Sequence, residues 1–136
     1  MTHHEHPDAA LIRRAYSAFT SGDMETLGSL MTGDCTHHVP GETRFGGHFK
    51  GRDNVLGMYR DLGEYTGGTL RAELGSVLVD GRGHAVATHQ LFAEHGDRGI
   101  EMPGALVFTI IGGKISDIDE CVADIEELDA FYSLDG

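Results

Sequence analysis

The chain has 136 residues, enough for one compact domain with an apolar core that needs no covalent staples. Apolar residues make up 40% of it and the mean hydropathy is −0.21, the balance of an ordinary folded chain rather than a disordered one. Ten Lys and Arg face 22 Asp and Glu, a formal charge of −12, which repels phosphate backbones and anionic lipid; nucleic acid and membrane are therefore not expected partners.

The first seven residues, MTHHEHP, carry three histidines and no apolar pattern, and are expected to fray. Residues 8–20 read as a helix, with Leu11, Ala15, Ala18 and Phe19 on one stripe and Ile12 and Tyr16 on its shoulder. Gly22 suits a C-terminal cap, and Asp23 can accept the first free N–H groups of a second helix. Met24, Leu27, Leu30 and Met31 form the apolar side of that helix, and Gly33 closes it. Residues 34–40 alternate as a short strand ended by Pro40-Gly41, and a glycine-punctuated loop follows. A helix then starts at residues 52–54, with Val55, Met58, Tyr59 and Leu62 at helical spacing, and stops at Gly67-Gly68.

Four strands are predicted at residues 70–79, 84–94, 99–111 and 114–122, separated by glycine turns. Residues 124–132 read as a last short helix capped by Asp124, with Ile125, Leu128 and Phe131 inward. Cys35 and Cys121 stand alone, without a CxxC pair or a signal peptide, which points to reduced thiols and a cytoplasmic location. No apolar run approaches the roughly 18 residues that span a bilayer.

Helices followed by a meander of strands make an α+β pattern, a curved, mostly antiparallel sheet wrapped around helices to leave a cavity. The strand at 84–94 is half apolar on both faces. Val86, Thr88, Gln90 and Phe92 lie on one, and Ala85, Ala87, His89 and Leu91 on the other. A sheet covered on both sides suits a homodimer packed through its outer face.

The segments AYSAFTSGDMETL, HVPG, FGGHFKGRDNV, TGGTLRAEL, GGKI and DIEELDAF, in this order and spacing, make the chain similar to SnoaL-like proteins of the NTF2-like superfamily. The resemblance runs from about Leu11 to Phe131 and implies a single cone-shaped domain over residues 1–136 that encloses a site for a small apolar molecule. Among ketosteroid isomerases of this superfamily, an aspartate base, a tyrosine and a neutral aspartic acid carry the reaction; that enzyme is itself a standard example of tuned acidity. Laid on this chain, those positions hold Val39, Ala15 (with Tyr16 adjacent) and Leu106, and only a supporting tyrosine has a counterpart, Tyr59. Steroid isomerisation by that mechanism is not expected.

The last strand carries the leading candidate. Strand side chains alternate, so Ser116, Ile118, Glu120 and Val122 share a face, and a lone carboxylate flanked by Ile118 and Val122 suits the interior. A carboxyl group among apolar neighbours is harder to ionise than one in water, which fits it for proton transfer. The competing reading puts Glu120 at the rim, paired and structural. His37 should share the interior face with Val39, and His38 should face outward; whether His89 or Gln90 faces inward stays open. Each histidine could pair with Glu120 or simply satisfy a local hydrogen bond. His37, His38 and His48 invite a metal, but adjacent strand residues face opposite ways and their spacing matches no familiar zinc pattern, so no metal is expected.

The resemblance also places Asp124 where SnoaL-like polyketide cyclases carry an acid–base aspartate, although capping alone accounts for an aspartate there. Tyr16 and Tyr59 could hold a ligand oxygen, with Met58, Leu62, Phe92, Leu106 and Phe108 as apolar walls or as plain core. Three functions follow from the resemblance. The first is a cofactor-independent cyclase- or isomerase-type enzyme acting on an apolar carbonyl metabolite. The others are a carrier for such a metabolite, or a dimerisation scaffold whose cavity is filled by its own side chains.

Overall fold

The structure is a computed structural model and describes residues 5–133. Four helices pack against one six-stranded sheet that is curved and does not close. The helices are α1 (Pro7–Ser21), α2 (Met24–Ser29), α3 (Arg52–Tyr65) and α4 (Ile125–Tyr132). The strands are β1 (Met31–Val39), β2 (Gly47–Lys50), β3 (Arg71–Val79), β4 (His84–His95), β5 (Arg98–Ile111) and β6 (Lys114–Val122), in the sheet order β2-β1-β6-β5-β4-β3. Every neighbouring pair is antiparallel except β1 and β6, which run parallel. No helix among the described residues is long and apolar enough to cross a membrane.

The helix boundaries follow from their caps. Pro7, whose missing N–H costs nothing at a first helical position, opens α1, and the His6 ring accepts from the Asp8 N–H at 3.0 Å. The segment expected to fray therefore contributes its last residues to a helix start; residues 1–4 lie outside the described residues. Gly22 closes α1 in the left-handed region at φ 73°, and the Asp23 carboxylate accepts from the Thr26 N–H at 3.1 Å.

Met31 is not helical, contrary to its apolar spacing. The second helix ends at Ser29, and Met31, 1% exposed, begins β1 opposite Ile115 of β6, where the Ile115 N–H reaches Leu30 O at 2.8 Å. Parallel pairing with a strand 84 positions later overrides local periodicity. The loop after Gly41 likewise contains an edge strand, β2, whose His48 and Phe49 pair with His38 and His37.

The core has two parts. The larger lies between α1, α2, α3 and the concave side of the sheet, around Ile12, Val55, Phe108 and Ile115. The smaller gathers Phe45, Tyr65, Leu128, Phe131 and Tyr132 where α4 meets the end of α3. There the Tyr65 hydroxyl donates to Phe131 O at 2.8 Å, the Arg98 guanidinium donates to Ala130 O and Ser133 O, and His95 stacks on the Tyr65 ring at 3.8 Å. These bonds fasten α4 to the sheet. Ile125, expected inward, is 51% exposed, and Tyr132 takes the inward position instead.

Candidate functional site

The concave face of the sheet, with α1 and α3, encloses a cavity of about 90 Å³, several times the roughly 10–15 Å³ that one water molecule needs. Its wall is mostly apolar, and Glu120 is the one carboxylate on it among the described residues. Alternation along β6 would put Ile115 on the opposite face from Glu120, yet both line the cavity with Ile118. The register slips between Thr109 and Ile110, which face Asp117 and Ile115, so Ser116 is an extra residue. Such a bulge turns the following side chains over, and Ile118 and Glu120 come to share the wall with Ile115.

Glu120 is paired rather than bare. Its side chain is 18% exposed, and Oε1 lies 2.9 Å from His37 Nε2, while His37 Nδ1 lies 2.7 Å from the Tyr59 hydroxyl. An ionised carboxylate only accepts, so Nε2 carries the imidazole proton and Nδ1 accepts from the Tyr59 O–H. Burial, reinforced by Cys35, Glu120 and Tyr16, holds the Tyr59 phenol well above its ordinary range, so it remains a donor. The result is a buried line from Tyr59 through His37 to Glu120.

A second pair faces the same space. Tyr16 Oη and His89 Nδ1 stand 2.7 Å apart, joining α1 to β4. Burial first, then Glu120, raises the Tyr16 phenol above its ordinary value. Burial lowers His89, only partly opposed by Glu120, so its ring is neutral near pH 7. Gly104 makes the room: a Cβ there would lie 2.7 Å from His89 Nε2.

The structure therefore settles which side of β4 faces inward. His89 and Leu91 line the cavity, and Gln90 and Phe92 belong to the other face, where Arg71 sits 4.4 Å over the Phe92 ring. Gln90 and Phe92 are not cavity residues, because a twofold strand period admits only one of the two sets. Asp124 is also outside the cavity. It is exposed and caps α4, accepting from the Glu127 N–H at 3.0 Å. Val122 packs on the smaller core cluster instead of the cavity wall. Tyr16, Tyr59, Met58, Leu62, Val39, Leu106, Phe108 and Ile118 line the cavity, together with His37, His89 and Glu120.

Phe45, Leu70, Ala72, Leu91, Ile115 and Tyr132 also line it, with Ala15, Phe19, Leu27 and Met31, and were missed as wall residues. Leu91 was readable from its alternation with His89. Phe45 sits in an irregular segment with no period, and Tyr132 is placed by the Tyr65 and Arg98 bonds that hold α4. Val39, Ala15 and Leu106, which hold the isomerase positions, all line the cavity with apolar side chains. Leu106 pairs in register with Glu120, so this chain's acid stands one strand away from the isomerase's neutral aspartic acid.

A SnoaL-like domain matches residues 12–118, and the chain belongs to that family. An uncharacterised protein of Mycobacterium tuberculosis, Rv0034, is 30% identical over 126 residues, covering 93% of this chain and 96% of its own. Among solved structures, Bal32a from a soil-derived mobile gene cassette superposes with a TM-score of 0.90 at 34% identity, over 93% of this chain and 96% of that one. An NTF2-like protein of unknown function from Burkholderia pseudomallei has a TM-score of 0.84 at 16% identity, over 95% and 99% of the two chains, a likeness of fold.

Proposed function

We propose that this protein is a cofactor-independent acid–base enzyme that moves a proton beside the carbonyl of a small apolar metabolite. The observation that carries the reading is the Tyr59–His37–Glu120 line, ending on the one carboxylate that the described residues give an apolar cavity. Glu120 removes a proton from the carbon next to the carbonyl, and the electron pair moves onto the carbonyl oxygen. The His37 N–H steadies the carboxylate before transfer, and Tyr59 holds the imidazole in the tautomer that does so. Tyr16 can turn its O–H to the developing oxyanion, because His89 can instead donate Nδ1–H to the phenol oxygen. Returning the proton to another carbon gives an isomerase; attack of the enolate carbon on a second carbonyl, whose oxygen then takes the proton held by Glu120, gives a cyclase.

The test is solvent deuterium exchange into a panel of apolar cyclic ketones and 1,3-diketones, followed by proton NMR. Exchange is expected with wild-type protein and lost in Glu120→Gln, which still binds the same compound. If Glu120→Gln changes affinity alone and wild type exchanges no faster than buffer, the protein is a carrier.

The reading includes a cytoplasmic homodimer. Leu78, Val86 and Val107 stand side by side on the outer face, Leu78 62% and Val107 36% exposed, and an apolar strip of this kind suits a second copy. Light scattering coupled to gel filtration is expected to give twice the chain mass, and Val107→Glu to halve it.

A further inference from the structure

One row on the outer face crosses all six strands, with Leu78, Val86, Val107, Asp119, His38 and His48 in register. Its β3–β5 half is apolar and its β6–β2 half is not. At the polar end, His38 Nε2 lies 3.1 Å from Asp117 Oδ1 and 3.8 Å from Asp119 Oδ1. One ligand-type atom from each of these three residues falls within 4.8 Å of the other two. Ligands about 2.0–2.2 Å from one ion stand roughly 3–4 Å from each other, so the three are already spaced to share a cation.

The charge is uncompensated. Among the described residues neither Asp117 nor Asp119 pairs with Lys or Arg; both converge on one imidazole nitrogen. The whole chain carries −12, which raises the local concentration of cations. The ligands are also held from behind. His48 Nδ1 stands 2.6 Å from His38 Nδ1, with the rings nearly perpendicular, and the Thr36 hydroxyl donates to Asp117. Partners of this kind fix the orientation of metal ligands. His37, which the sequence groups with this set, is on the cavity side and takes no part.

We propose that His38, Asp117 and Asp119 bind a first-row divalent cation such as Zn²⁺, positioned by His48 and Thr36, with solvent in the remaining positions. The ion occupies the Nε2 lone pair of His38. Each imidazole keeps one proton: that of His38 moves from Nε2 to Nδ1 and donates to His48 Nδ1, whose own proton moves to Nε2. The mixed imidazole and carboxylate set favours zinc over calcium, which takes oxygen ligands.

Isothermal titration of the full chain with ZnCl₂, and separately with CaCl₂, tests this. One zinc per chain is expected, with calcium far weaker. His38→Ala should abolish binding and Asp119→Asn should weaken it, with unchanged circular dichroism. His48→Phe and Thr36→Val should each weaken it about 10–100-fold. Glu120→Gln and the double change His3→Ala, His4→Ala should bind as wild type. No saturable binding, binding by His38→Ala as tight as wild type, or loss on changing His3 and His4 overturns the proposal.

Discussion

His37 and Glu120 are 83 positions apart in the chain and 2.9 Å apart in space. The parallel pairing of β1 with β6 puts His37 opposite Ile118, and Glu120 follows two residues on along the same wall. A histidine 4% exposed thus meets the one carboxylate that the described residues give the cavity, through a contact between β1 and β6.

Removing the Tyr59 hydroxyl tests whether this line is built as a unit. Tyr59→Phe leaves His37 Nδ1 buried without its donor, at a cost of about 1–3 kcal/mol. A lower urea midpoint is expected, together with a change in the His37 tautomer seen by nitrogen NMR. An unchanged tautomer would mean that Tyr59 only packs.

Gly104→Ala probes the other pair. The new Cβ meets His89 Nε2 at 2.7 Å and Cys121 O at 3.2 Å, so the ring must move and the Tyr16 bond must lengthen. Overpacking of this kind costs about 1–3 kcal/mol. Gly33→Ala, with nothing within 4 Å, is the matched control and should leave the melting temperature nearly unchanged.

Asp124→Ala separates capping from catalysis. Loss of the bond to the Glu127 N–H should destabilise the fold by about 0.5–2 kcal/mol. Ketone exchange at saturating substrate should persist below the new melting temperature. Its abolition in folded protein would return Asp124 to the reaction.

Acid should loosen the fold through His89. Its folded value lies below the usual 6.5, so below pH 6.5 the unfolded chain takes up the proton first and stability falls until the folded pKa is passed. Denaturant titrations between pH 7.5 and 5 are expected to show this loss, smaller in His89→Gln. Equal losses in both proteins would exclude His89 as the cause.

The two thiols should differ in reactivity. Cys35 is 0% exposed, and burial, with Asp117 and Asp34, pushes it up to about 12, whereas Cys121 is exposed. At pH 8 an aromatic disulfide reagent should titrate one thiol per folded chain and two after denaturation.

Much of this was legible in the chain. Helical spacing located α1 and α3, glycine turns separated β3 to β6, and alternation gave His37 and Glu120 their inward side, because these are short-range periods. Where one strand offered two equally apolar faces, as β4 does, the period could not choose between His89 and Gln90; the packing of α1 against the sheet, with Tyr16 bonded to His89, did.

Local pattern therefore determined most of the element types and about half of the cavity wall. Tertiary structure decided the start of β1 at Met31, the existence of β2, the bulge at Ser116 and the meeting of His37 with Glu120. It also removed Asp124 from the cavity and gathered His38 with Asp117 and Asp119. Each of these depends on which distant strand lies alongside, and a partner dozens of residues away leaves no mark on the spacing of its neighbours.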